Sequence, residues 1–265
     1  MQSLIGIDLA DLRRPAKEAM QAASRLQFAA IQLPATDPEI SPQQLDASGR
    51  RHLARFADAL SLKLAALSAD LPGLRLTDPK TVDERVEKTM QIIQLARELR
   101  VPIVTASVGQ LTHPASGEPS SLAAQALARI GEFADSRGVR YAIRPTHDTA
   151  ARLAKVLDAL RCPSIQIGLD PAAMVMTGAN PLSDVERYAP SIAHFHVRDA
   201  TAGLPDRPGH ETALGEGDVD LMGCLMVLQA ADYRGAHILR RTESPRPVED
   251  LLAAKKKLEQ LLSEV

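Results

Sequence analysis

The chain has 265 residues, 45% hydrophobic and 24% charged, with a formal net charge of −2. That balance is ordinary for a globular protein and lacks the basic surplus that selects nucleic acid or an anionic membrane, so neither is expected as a partner. Two cysteines in unrelated contexts, Cys162 and Cys224, exclude a disulfide framework and fit a reducing, cytoplasmic setting, while 3% aromatic residues exclude a base-stacking platform.

Met1 to Asp8 carry neither the basic start nor the long apolar run of a signal peptide or membrane span. Leu4–Ile7 reads as a first buried strand, and Pro15 opens a helix with Ala16, Ala19, Met20, Ala23 and Leu26 on one face. Phe28–Leu33 is a second strand, stopped by Pro34. A second helical stripe follows (Leu53, Phe56, Ala57, Leu60), then a third strand at Leu62–Leu67. Thr81 with Glu84 three residues on predicts a capping box for a third helix through Val82, Val86, Met90, Ile93 and Ala96. Pro102–Ser107 is a fourth strand, and Leu122–Phe133 a fourth helix ending near Gly138.

Tyr141–Arg144 is the fifth strand, with a helix from about Thr149 to Leu160, and Ile165–Asp170 the sixth. Asn180-Pro181 is a cap and first-turn pair for the helix after it. The seventh strand, Ile192–Val197, carries His194 and His196, which the two-residue strand period turns to one face. Asp220–Ala231 is a helix and Ala236–Arg240 the eighth strand. Val248, Leu251, Leu252, Leu258 and Leu261 then line a last helix, with acidic residues in its first turn.

Eight strands alternating with helices at about 33 residues per unit predict a single α/β domain over residues 1–265, a (β/α)8 TIM barrel. A doubly wound open sheet usually places a glycine-rich turn after its first strand, and Asp8-Leu9-Ala10-Asp11 has none. In a barrel the chemistry sits at the C-terminal strand ends, which read Gln32, Ser68, Ser107, Arg144, Asp170, His196 and Arg240. Singly, Arg144 and Asp170 could be a buried ion pair and Ser107 a helix cap. Together they predict a ligand mouth, because buried charge without a partner or purpose is rare. Arg198 either pairs locally with Asp199 or reaches over the mouth. His147 lies on a loop beside it, in reach of a ligand or of solvent. Leu214–Asp220 reads as a flexible loop forming one wall, and His52, His113 and His210 as surface residues.

Gly168-Leu169-Asp170, the strand running from His194 to Asp199, the Leu214–Asp220 loop and Tyr233-Arg234-Gly235 together resemble the xylose isomerase-like TIM barrels. That superfamily of sugar (phosphate) isomerases and epimerases includes tagatose/psicose 3-epimerases, hydroxypyruvate isomerase, inosose dehydratase and endonuclease IV. The resemblance implies one divalent metal held by a Glu, an Asp, a His and a second Glu from strands five to eight, with both glutamates moving a proton beside a carbonyl. Carried over, the Asp matches Asp170 and the His matches His196, but Arg144 and Arg240 stand at the glutamate positions. Ala173 replaces a substrate-contacting His, and Gln32 stands where many relatives carry Glu. A −3 ligand set has become +1 at Arg144, Asp170 and Arg240, and a unit charge at ~4 Å is worth on the order of 4 kcal/mol at an effective dielectric of ~20.

The expectation is therefore a site without the family's metal and without another cofactor. In one reading an enzyme binds a polyhydroxylated or anionic small molecule. Its substrate contacts come from Arg144, Arg240, Gln32, Ser107, His147, His194 and Arg198, with His196 as general base oriented by Asp170 or His194. In the other the barrel is catalytically inactive, with a binding or regulatory role and a mouth plugged by salt bridges from Arg144 and Arg240 to Asp170 and Glu243. Metal-dependent epimerisation and endonuclease-type DNA repair are disfavoured by the same residues. Homo-oligomers are common among such barrels, and one is compatible with this chain.

Overall fold

Eight parallel strands close on themselves in the computed structural model, which describes residues 4–113, 115–144, 150–204 and 207–265. They are β1 (Ile5–Asp8), β2 (Ala30–Pro34), β3 (Lys63–Ser68), β4 (Ile103–Ser107), β5 (Arg140–Arg144), β6 (Ile165–Leu169), β7 (Ile192–Val197) and β8 (His237–Leu239). Each pairs with its neighbour in sequence, and β1 pairs with β8 to seal the ring. The helices that follow them are α1 (Ala16–Arg25), α2 (Ala47–Ala59), α3 (Val82–Leu99), α4 (Ser121–Arg137), α5 (Ala150–Leu160), α6 (Pro181–Tyr188), α7 (Leu221–Ala230) and α8 (Pro247–Glu264). A short extra helix, Pro171–Met176, follows β6, and a two-stranded antiparallel ribbon, Asp199–Ala200 with Glu211–Thr212, follows β7.

Alternation along the strands explains where the core sits. Ile7, Ile31, Leu33, Leu67, Tyr141, Ile143 and Phe195 belong to one large buried cluster with helix residues such as Met20, Ile93 and Leu95. Two small clusters of mostly short side chains, Ala30, Ala65, Ala236 and Ile238, and Ala66, Ile103, Ala142 and Ala193, lie apart from it. Short residues inside leave room for long polar ones further up. Gly168 is the clearest case: a Cβ there would lie 2.9 Å from Thr105 Oγ1 and 3.1 Å from Arg144 Cγ, so only glycine lets the arginine cross.

The helix starts follow the sequence with one exception. Asp46, Ser120, Asn180 and Asp220 each accept a backbone N–H from the first turn of their helices. The capping box expected at Thr81 does not form. Its hydroxyl is spent on the backbone of Arg75, accepting from the N–H at 3.0 Å and donating to the carbonyl at 3.2 Å. Glu84 instead meets Lys88 one turn on. Among the described residues no helix is long and apolar enough to cross a membrane.

Candidate functional site

Strand register brings the polar ends together. Asp8 pairs with Gln32 across β1 and β2, Ser107 with Arg144 across β4 and β5, and Ile238 with His196 across β8 and β7, which carries Arg240 to the same rim. Gln32, Arg144, Asp170, His194 and His196 are all buried. His147 lies outside the described residues.

A buried chain of hydrogen bonds crosses the mouth. The Gln32 amide donates to Asp8, and its oxygen faces His196 Nε2 at 3.0 Å. Because Asp8 as a carboxylate can only accept, the Gln32 amide is oriented with its NH2 toward Asp8, and His196 Nε2 must carry the proton. His196 Nδ1 is then the bare nitrogen, 3.7 Å from Asp170 Oδ2. Asp170 accepts Arg198 Nε at 2.9 and 3.1 Å on its two oxygens and caps the short helix through the Ala173 N–H at 3.1 Å.

The second imidazole sits edge-on to the first, with ring centroids 4.7 Å apart. His194 has no hydrogen-bond partner for either ring nitrogen among the described residues. Burial, reinforced by the charges of Arg144, Arg240 and Arg140, pushes it down to about 3, and it is neutral at physiological pH. Burial likewise holds His196 well below 6.5, outweighing the pull of Asp170. Burial would raise Asp170, but the Arg198 guanidinium holds its carboxyl well below 3.8.

The arginines are each held by carboxylates, several of which the sequence reading missed. Arg144 Nη2 reaches both oxygens of Asp70, at 2.5 and 2.6 Å, and its Nη1 reaches Thr105 Oγ1 at 3.2 Å. Arg144 and Asp170 are thus not an ion pair with each other. Arg240 lies 3.4 Å from Asp8 and 3.5 Å from Asp11. Glu211, on the ribbon, lies 3.7 Å from Arg198 and 3.3 Å from Arg241, and also accepts from Thr242 and the Glu243 N–H. Six carboxylates (Asp8, Asp11, Asp70, Asp170, Glu211, Asp250) thus face four guanidiniums (Arg144, Arg198, Arg240, Arg241). Asp11 absorbs part of the excess: burial lifts its carboxyl to about 6, with Asp8 adding to the rise and Arg240 opposing it.

Four further expectations resolve. Arg198 reaches over the mouth to Asp170, and Asp199 binds elsewhere. The Asp199 carboxylate accepts the N–H groups of Gly215, Gly217 and Val219 at 2.7, 3.0 and 3.1 Å, so the Leu214–Asp220 loop is stapled where flexibility was expected. Among the described residues Ser107 caps no helix; its backbone N–H donates to Asp70 Oδ1 at 2.7 Å and its carbonyl accepts from Arg85 at 2.9 Å. His52, His113 and His210 are exposed.

The divalent metal implied by the resemblance does not fit this donor set. Two of its four positions are guanidiniums, and both Asp170 oxygens are engaged by Arg198. Among the described residues no three His, Cys, Asp or Glu side chains gather as a metal-binding group.

Comparison with known proteins agrees with this architecture. The family model for the xylose isomerase-like TIM barrel matches residues 20–262. An inosose dehydratase from Clostridium beijerinckii is 23% identical over 159 residues, covering 52% of this chain and 53% of the relative. The chain thus spans about half the length of the curated relatives it matches. A xylose isomerase domain protein from Planctomyces limnophilus superposes with a TM-score of 0.88 at 20% identity, over 100% of this chain and 99% of that one. A D-tagatose 3-epimerase-like protein gives 0.80 at 17% identity, over 100% and 98%.

Proposed function

The chain belongs to the xylose isomerase-like TIM barrel family, and from that premise we propose that it holds a small polyhydroxylated ligand at the C-terminal mouth without the family's divalent metal. The observation that carries this reading is the placement of Arg144 and Arg240. Arg144 stands buried and Arg240 half-buried at strand ends where the resemblance puts metal-binding glutamates, and both are fixed by carboxylates. Guanidiniums fixed in this way are preorganised donors for a ligand's carboxylate, carbonyl or enolate oxygen, the task otherwise given to a metal. The names of the relatives, an inosose dehydratase and a D-tagatose 3-epimerase-like protein, favour a sugar-like ligand.

In this reading neutral His196 offers Nδ1 as the base. A proton taken there from a carbon beside a carbonyl makes an imidazolium that Asp170, 3.7 Å away, stabilises. Gln32 fixes the tautomer through Nε2, and His194, Arg198 and Ser107 line the surround.

A second reading has its own observation. His196 is fully buried, and every mouth guanidinium already has a carboxylate, as in an inactive barrel with a binding or regulatory role. The salt-bridged mouth is made with Asp70, Asp8 and Asp11, in place of the Asp170 and Glu243 partners first expected for Arg144 and Arg240.

Elemental analysis and thermal shift against polyols, sugar acids and divalent ions test the proposal. A rise in melting temperature with a polyol or sugar acid that EDTA leaves unchanged is the expected result. One equivalent of tightly held Mn, Mg, Co or Zn that is lost in Asp170→Asn and His196→Asn would overturn it. Exchange of the ligand's carbon-bound proton with D2O, lost in His196→Asn, separates the enzyme from the inactive barrel.

A further inference from the structure

Asp70 and Arg144 form an ion pair with an unusual division of exposure. The arginine side chain is 6% exposed and the aspartate 41%. All the donors are on the barrel: Arg144 Nη2 to both carboxylate oxygens, and the Ser107 N–H to Oδ1 at 2.7 Å. The acceptor arrives from the solvent side, on the loop after β3.

A buried guanidinium requires a negative partner, because leaving it unpaired is strongly destabilising. Nothing in this geometry requires that the partner be covalently attached. We propose that Arg144, the Ser107 amide and Thr105 form a carboxylate-binding subsite, and that Asp70 fills it as a stand-in when no ligand carboxylate is present. The inference rests on the reading of the mouth as a ligand site and narrows the ligand to one carrying a carboxylate.

The loop around Asp70 is built to let the side chain leave while the backbone stays. Arg85 on α3 is buried, and its guanidinium donates to the carbonyls of Ala69, Leu71, Leu74 and Ser107 at 3.5, 3.0, 3.2 and 2.9 Å. These contacts clamp the chain on both sides of Asp70 and the end of β4 beside it. Exchange therefore needs only rotation of a two-torsion, half-exposed side chain into water. The Asp70 carboxyl is held below 3.8 by Arg144 and the Ser107 N–H against the upward push of burial, so at neutral pH it competes as a full anion.

The test uses the full chain and three probes: acetate, D-gluconate and its uncharged counterpart D-glucitol. Asp70→Ala removes the carboxylate that holds Arg144 among the described residues. Added acetate is expected to raise the melting temperature of D70A and not of the wild type, and Arg144→Met in the D70A background abolishes the effect. By calorimetry, D70A is expected to bind D-gluconate about tenfold tighter than wild type, since a tethered competitor has been removed, with D-glucitol unaffected. Asp70→Asn, which keeps the shape and loses the charge, gives the same ordering of gluconate affinities should D70A fail to fold. No acetate effect together with equal gluconate affinity in D70N and wild type would overturn the subsite. Binding of D-glucitol by wild type in that case leaves the mouth reading standing and this inference refuted. Acetate rescue without binding of either polyol supports the subsite and refutes the wider reading.

Discussion

Gln32 is a single neutral amide between an anion and an imidazole, and it decides which nitrogen of His196 is free. Gln32→Leu leaves Asp8 and His196 Nε2 without their buried partner, an expected cost of about 1–3 kcal/mol measured by urea unfolding. Gln32→Glu places a second carboxylate beside His196 and is expected to raise its pKa, read from the ring proton shifts by NMR. The histidines also set the acid limit. His194 is pushed down to about 3 and His237 to about 4 by burial, against 6.5 in the unfolded chain. Between those values and 6.5 the unfolded chain binds the protons, so stability is complete above pH 6.5 and falls as the pH drops toward 4. Asp11 acts with the opposite sign: its carboxyl, raised to about 6 from 3.8, stabilises fully below pH 3.8, and that share is lost as the pH rises through 6. Two histidines outweigh one aspartate, and melting temperature is expected to fall on acidification from pH 6.5 to 4. Asp11→Asn steepens that fall.

At the scale of elements, the Leu214–Asp220 loop depends on one carboxylate. Asp199→Ala removes the acceptor for Gly215, Gly217 and Val219, and limited proteolysis is expected to cut within residues 213–219 of the variant and spare the wild type. Gly217→Ala should act alike, because its Cβ would collide with the Asp199 carboxylate and the Ala200 carbonyl. The barrel itself was legible, since alternating apolar runs such as Phe28–Leu33 and the helical stripe Val82–Ile93 follow local periodicity. The strand-end residues Gln32, Arg144, Asp170, His196 and Arg240 were legible for the same reason. Their partners were not. Asp70 sits two residues past the end of β3, Glu211 is 41 residues from Asp170, and Arg85 is a charge inside an apolar helical stripe, so nothing local marks any of them. Asp8 carried a signal that went unused: it closes the first apolar run and stands in register with Gln32 on β2. Thr81 failed because a distant turn at Arg75 outcompeted the helix for its hydroxyl.

Across the whole molecule, the mouth is an electrostatic set in which each arginine meets at least one acid from another strand's end or loop. Arg144 takes Asp70 from beyond β3, Arg240 takes Asp8 from the end of β1 and Asp11 from beyond it, and Arg198 takes Asp170 from just past β6 and Glu211 from the ribbon. A positive charge at one strand end is thus paired with negative charge contributed by another turn of the barrel.

That pairing works as a ratchet on the chain's possible histories. Arg144→Glu with Arg240→Glu would restore the four ligand types of a metal isomerase, yet it would set the new glutamates against Asp70, Asp8 and Asp11, whose only described countercharges they had replaced. The double variant is expected to unfold at lower temperature and take up no stoichiometric Mn by elemental analysis. Adding Asp70→Asn, Asp8→Asn and Asp11→Asn relieves the crowding. The road back to metal chemistry therefore runs through five positions, and the two glutamates cannot be restored without disturbing the acids that their predecessors held.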